Sequence, residues 1–220
     1  VLLALDTSTP SVTAALHDGH RLLAESTVVD ARRHGELLTP AIERVLAAAR
    51  IAPGAVTRIA VGVGPGPFTG LRVGVVTALT MGCALGVPVV GVCSLDALAF
   101  AALAGVPTGA PTRQAFAIVT DARRREVYWA TYDPGGARRS GPAVDHPEVV
   151  AAELSATGMP VLGPATDLFA FERVLPGGPL SAGALAAAVV TGSAELLPVR
   201  PLYLRRPDAT PPARPKTARA

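Results

Sequence analysis

The chain has 220 residues, half of them hydrophobic, with a net charge of +3 and a mean hydropathy of +0.40. That apolar content excludes general disorder and is enough for one large or two small packed domains. Residues 199–220 hold six basic side chains (Arg200, Arg205, Arg206, Arg214, Lys216 and Arg219) against Asp208 alone, which leaves residues 1–198 at −2. The positive charge therefore belongs to a proline-rich end segment. Its composition predicts disorder, and it suits either contact with RNA or a solvated end.

No uninterrupted apolar run of the length a membrane span needs is read here, and no basic region precedes an apolar one as in a signal peptide. Cys83 and Cys93 stand ten apart, which is neither a disulfide framework nor a metal knuckle. A reducing, cytoplasmic setting is expected.

In chain order, VLLALD reads as a short buried strand ending at Asp6. SVTAALH follows as a second strand, Asp18-Gly19 as a hairpin turn between His17 and His20 (both expected at an exposed tip), and RLLAESTVV as a third strand. Leu37, Leu38, Ala41, Ile42, Val45, Leu46 and Ala49 make a helical stripe, with Pro40 either starting that helix behind Thr39 or kinking it. RIAVGVG is a fourth strand, followed by a helix from about Gly70 to Leu85 that Thr69 is expected to cap. VPVVGV is a fifth strand. SLDALAFAALAG is a third helix, with Ser94 as its N-cap and Gly105 past its end. Hairpin strands first and strand–helix alternation afterwards predict a mixed sheet covered by helices. GVPTGAPTRQ then marks a domain boundary, with AFAIVTD and EVYWATYD beyond it as a second hairpin and a helix near Ser181–Thr191. The predicted division is residues 1–104, 105–205 and a tail over 206–220.

GVGPGPFTGLRVGVVTALTMG, Gly62 to Gly82, has the look of a phosphate-cradling loop. It fits neither the Walker A pattern, since the chain's one lysine is Lys216, nor the dinucleotide fingerprint, since Pro67 and Thr69 stand where glycines are needed. Asp6-Thr7-Ser8-Thr9 is either a phosphate-facing turn or an Asx turn. Gly70, Gly74, Ala78 and Gly82 recur every four residues and put small side chains on one helix face. Glycine in a helix costs about 1 kcal/mol relative to alanine, so another backbone must approach closely, either the protein's own sheet or a partner helix. Arg123 to Glu126 form a charged turn, a solvated tip or a recognition surface. No H-E-x-x-H, C-x-x-C or G-x-S-x-G motif and no nucleophile–base pair is present. His34, which opens the first helix, has Leu38 where a metal pair would put a second histidine.

Together LALDTSTPSVTAAL, RRHGELLTPAIERVL, GVGPGPFTGLRVGVVTA, GVCSLDALA, DARRREVYWATYD and PLYLRR resemble the TsaB (YeaZ) family, in the family's order and over nearly the whole chain. Pro67 departs from the family's usual serine, and the C-terminal half is shorter and richer in Ala and Pro. The resemblance implies an α/β, actin-like ATPase-domain fold (the sugar kinase/Hsp70/actin superfamily) of two related lobes, each a mixed sheet flanked by helices. It implies a non-catalytic subunit needed for threonylcarbamoyladenosine at position 37 of tRNAs reading ANN codons, one that binds and activates the catalytic subunit TsaD, with TsaE. TsaD holds its metal with an H-x-x-x-H pair, so Leu38 implies that this chain has no metal site and no catalytic residues. Leu37, Ala41, Val45, Gly70, Gly74, Ala78 and Gly82 are the implied partner face, and Asp6, Thr7 and Ser8 a degenerate phosphate loop. No intrinsic cofactor is expected, ATP or ADP at the TsaB–TsaD seam and a homodimer of the isolated chain are left open, and tRNA contact is indirect, through the complex. The other reading is an enzyme in its own right, a weak ATPase or the peptidase of older family names.

Overall fold

The computed structural model describes residues 1–104, 114–175 and 177–205. The expected lobe junction and helix stop at Gly105, and the tail over 206–220, lie outside the described residues.

Five of the six strands in the first sheet follow the pattern of the sequence. β1 (Leu2–Asp6), β2 (Ser11–His17) and β3 (Leu22–Val29) form an antiparallel meander. β4 (Arg58–Gly64) runs parallel to β1, and β5 (Val89–Cys93) parallel to β4. The sheet order is completed by a two-residue strand, Leu196–Leu197, antiparallel to β5. The second sheet contains β6 (Phe116–Asp121), β7 (Val127–Tyr132) and β8 (Arg138–Asp145), with β9 (Val161–Leu162) parallel to β6 at its other edge. Leu196–Leu197 is β10.

Period-2 alternation decides which layer each strand residue joins. Leu3, Leu5, Val12, Ala14, Leu16, Ile59, Val61 and Val63 face α1 (His34–Ala49) and α2 (Phe68–Leu85). Leu2, Ala4, Ala15 and Ala60 face the opposite way, toward α3 (Ser94–Ala104) and a late helix, Ala182–Val190. Phe116, Ile118, Ala130 and Tyr132 of the second sheet enter that same cluster. α3 and the late helix therefore form a shared layer between the two sheets. The outer face of the second sheet carries Ala117, Val119, Val127 and Trp129, packed on α4 (Pro147–Thr157). With Ala182–Val190 as α5, the architecture is α/β, two mixed sheets flanked by helices, as expected from the sequence. α5 and β10, on the far side of the expected boundary, lie against the first sheet.

Several local expectations change. Pro40 sits inside α1, in the second turn. α2 begins at Phe68 behind Pro67, whose extended backbone ends the loop, and no side chain caps it; Thr69 is exposed within the first turn. Ser94 does not cap α3 but turns its hydroxyl toward Asp6. Ser181 does cap α5, its Oγ accepting from Ala184 N at 3.0 Å. His17 is buried, its Nδ1 accepting from Gly19 N. By length and composition α2 is long and apolar enough to cross a membrane, which the sequence reading did not expect. Its inward residues Gly70, Leu71, Gly74, Val75 and Ala78 are nonetheless buried on the sheet.

A polar tie joins the layers. Tyr132 Oη donates to Asp96 Oδ1 at 2.8 Å, Arg138 lies 3.6 Å from the same carboxylate, and Arg138 Nη2 reaches Glu195 at 2.6 Å. Burial raises the Asp96 carboxyl, and burial also raises the Tyr132 phenol. Tyr132→Phe keeps the ring stacked on Phe116 but removes the hydroxyl's hydrogen bond to the Asp96 carboxylate, leaving Arg138 beside it. Urea unfolding should show a loss of about 1–3 kcal/mol; an unchanged midpoint would mean that the tie does not hold the layers.

Candidate functional site

The end of β1, the glycine loop and the start of α3 meet in a buried polar knot. Asp6 is fully buried. Its Oδ1 accepts from the Ser8 amide at 2.7 Å and its Oδ2 from the Ser94 hydroxyl at 2.6 Å, while Ser94 Oγ accepts from Gly64 N at 3.2 Å. Gly62 is required beside this carboxylate, since a Cβ there would overlap Asp6. Thr7 is equally enclosed: its hydroxyl donates to Gly70 O at 2.7 Å and accepts from Gly74 N at 3.0 Å. The carbonyl of Ser8 packs against Gly66. His34 Nε2 lies 2.8 Å from Thr9 O, and Leu38, on the next turn, is in the core.

The Asp6 carboxylate, the Thr7 hydroxyl and the Ser8 amide are engaged within the chain, whereas the buried Ser8 Oγ has no hydrogen-bond partner among the described residues. Desolvation raises the Asp6 carboxyl, an effect that the hydrogen bonds from Ser94 and Ser8 oppose. A carboxyl raised on folding favours the folded state most below its ordinary pKa, and that contribution is lost as pH rises through the raised value. Asp6→Asn removes it. The stability of the wild type relative to Asp6→Asn should therefore decline as pH rises from the ordinary carboxylate range, read by thermal melts at matched ionic strength. A difference that grew with pH would contradict the burial account.

The small-residue stripe turns out to face inward. A Cβ at Gly70 would meet Thr7 O at 2.5 Å, one at Gly74 would meet Thr7 Oγ1 at 2.6 Å, and one at Gly82 would overlap Val89. Ala78 is fully buried. The close approach that the glycines require is to the chain's own turn after β1, at Thr7, and to β5, at Val89. Ala41 and Val45 are likewise core residues, and Leu37 is half-buried. This corrects the expected partner face. The face of α2 that is turned to solvent carries Arg72, Val76, Leu79 and Cys83. Val76 is 58% exposed and Leu79 44%. At its N-terminal end, Phe68 stacks on Tyr203 with ring centroids 4.9 Å apart. The Arg72 guanidinium sits 4.1 Å above the Phe68 ring, and its Nε donates to Tyr203 Oη at 3.2 Å.

The second feature is a cleft of about 590 Å³ between the two sheets, lined by Thr9, Ser11, Asp121, Arg123, Gly163 and Asp167 among others. Arg123 opens the β6–β7 turn, where Arg123, Arg124 and Arg125 all hold left-handed backbone, φ 62°, 53° and 59°. Such conformations are costly for side-chain-bearing residues and need external support. Asp121 supplies part of it, accepting from Arg123 N at 2.7 Å and pairing with its guanidinium at 3.1 Å. Arg205 supplies more: Nη1 donates to Ala122 O at 2.6 Å, and Nε pairs with Glu126 at 3.1 Å. Neither Arg205 nor the Asp6–Ser94 bond was singled out from sequence, because both link positions over eighty residues apart. Among the described residues no group of three His, Cys, Asp or Glu side chains is placed to hold a metal ion.

A family model described as "TsaD: tRNA N6-adenosine threonylcarbamoyltransferase" matches residues 22–192. The chain is 46% identical over 214 residues to "Uncharacterized protein Rv3421c" of Mycobacterium tuberculosis, covering 96% of this chain and 94% of that one. It is 32% identical over 131 residues to the "tRNA threonylcarbamoyladenosine biosynthesis protein TsaB" of Bacillus subtilis, covering 60% and 54% of the two chains. YeaZ from Pseudomonas aeruginosa superposes with a TM-score of 0.72 at 31% identity, over 92% of this chain and 99% of that one. The chain belongs to the TsaB (YeaZ) family.

Proposed function

We propose that the chain serves the formation of threonylcarbamoyladenosine on tRNA as a non-catalytic subunit, and that it does so by docking on the transferase TsaD. The names carried by its relatives in Bacillus subtilis and Escherichia coli support the pathway. The observation that carries the docking role is the solvent-turned face of α2. Val76 and Leu79 are apolar and exposed there, beside an aromatic–arginine cluster of Phe68, Arg72 and Tyr203. Aromatic and arginine anchors beside exposed aliphatics are what interface centres are enriched in. The polar knot supports a role without chemistry of its own. Thr7 and Asp6, which would face phosphates in an active relative of this fold, are bonded to the helix and loops that bury them. Leu38 offers a metal no ligand.

On this reading TsaE joins the complex through TsaD, tRNA is met through the assembly, and any ATP or ADP lies at the seam between subunits. The same outer face would serve a homodimer when TsaD is absent. The test is to mix the purified chain with TsaD, measure the mass of the species formed, and quantify the modified nucleoside by mass spectrometry of digested tRNA. A 1:1 or higher complex whose formation is required for the modification supports the reading. Modification by TsaD at an undiminished rate without this chain would overturn it.

A further inference from the structure

The solvent-turned face of α2 carries a single charge. Arg72 is the one charged residue in the whole helix. It stands one turn before Val76, about 6 Å along the axis. Its side chain is held from two sides. The guanidinium lies 4.1 Å above the Phe68 ring, and Nε donates to Tyr203 Oη at 3.2 Å. Tyr203 is itself fixed by its neighbours, since Leu202 N donates to Val63 O at 2.8 Å and the Tyr203 ring stacks on Phe68. These contacts occupy one plane and the Nε edge of the guanidinium. Nη1 and Nη2 have no hydrogen-bond or ion-pair partner among the described residues.

In the free chain water solvates those two nitrogens. A partner that covers Val76 and Leu79 takes that water away, and an arginine desolvated without an acceptor opposes the docking. The free end of a guanidinium held in one plane presents two parallel N–H donors, which match the two oxygens of a carboxylate. We propose that the partner on this face brings an Asp or Glu carboxylate to Nη1 and Nη2 of Arg72. The proposal rests on the reading that TsaD docks here, and it favours TsaD over a second copy as the occupant. Two copies packed through this face would oppose helices that hold no carboxylate, with arginine as the one charge on each. Such a contact leaves both guanidiniums without a counter-charge. The apolar Val76 and Leu79 beside the arginine favour a protein over a phosphate backbone.

The test compares the full chain as wild type, Arg72→Gln and Arg72→Lys. Arg72 is exposed, so both variants should melt with wild type. Titration calorimetry with TsaD should show Arg72→Gln weaker by roughly tenfold to a hundredfold, with Arg72→Lys between the two. Wild-type affinity should also fall more steeply with salt than that of Arg72→Gln. The acceptor is then identified directly. Arg72→Lys puts an amine at this point, and a water-soluble carbodiimide joins an amine to a carboxylate in contact with it as an amide. Mass spectrometry of the digested complex should find position 72 linked to an Asp or Glu of TsaD. If wild type formed no complex, the docking reading would fall and this proposal with it. If wild type bound TsaD and Arg72→Gln bound within about twofold of it, the proposal alone would fall. It would fall equally if position 72 were linked to a second copy of the chain or to no carboxylate.

Discussion

Val76→Arg should leave the protein folded and stop it from binding TsaD. Val76 is 58% exposed in the middle of α2, so an arginine there reaches water in the free chain. Exposed substitutions of this kind change stability by about 0.5 kcal/mol or less, and arginine is a better helix former than valine. In the complex the same side chain would be driven into the centre of an apolar contact and lose its water without gaining a counter-charge. That costs about 3 kcal/mol or more, a loss of roughly a hundredfold or greater in affinity. Circular dichroism and a thermal melt check the first half, and titration calorimetry with TsaD the second. A folded variant that binds within a few-fold of wild type would remove the outer face of α2 from the interface.

Ala78→Arg, two residues further along the same helix, should fail for the opposite reason. Ala78 is fully buried on the sheet face, in the cluster with Val61, Val63 and Val75. An arginine there must open the α2–sheet contact or bury an unpaired charge, at a cost of roughly 4 kcal/mol or more. Domains of this kind are stable by about 5–15 kcal/mol, so the variant should be largely aggregated or should melt far below wild type. The pair of substitutions separates the two faces of one helix. If Ala78→Arg folded normally while Val76→Arg unfolded, the helix would be rotated from the position described.

Much of the fold was legible because its strands are short and strictly patterned. LLALD, SVTAALH and RIAVGVG alternate between two buried layers, and the first hairpin is announced by Asp18-Gly19. β8 escaped because RRSGPAVD is charged and broken by Gly141-Pro142, which reads as loop. α4 had a readable start in Pro147 and a readable stop in Gly158, but its length of three turns and mixed face gave a weak stripe. The two-residue strands β9 and β10 exist only as partners of β6 and β5, so no local signal announces them.

The site was legible in its parts and not in its directions. Glycines every fourth residue announce that a backbone comes close to α2, and nothing in the spacing says whose backbone it is. The answer depends on Thr7, sixty-odd positions away, whose hydroxyl reaches both Gly70 and Gly74. Asp6 could be placed at a strand end, where a phosphate-facing carboxylate would stand. Its capture by Ser94 could not be foreseen, because Ser94 reads locally as a helix cap. Arg205 was part of the resemblance only as one letter of PLYLRR; its work at the β6–β7 turn follows from a return of the chain that ends with Leu202 N donating to Val63 O.

The central claim is that this chain contributes a surface and not a reaction. The most direct measurement is threonylcarbamoyladenosine formation on tRNA in a reaction reconstituted from purified components, with wild type, Val76→Arg or no added chain, alongside ATP turnover by the chain alone. The account predicts modification with wild type, background levels with folded Val76→Arg and with no chain, and no ATP turnover by the isolated chain. Full modification supported by a Val76→Arg protein that cannot bind TsaD would contradict it, as would ATP turnover by the isolated chain that Asp6→Asn abolishes.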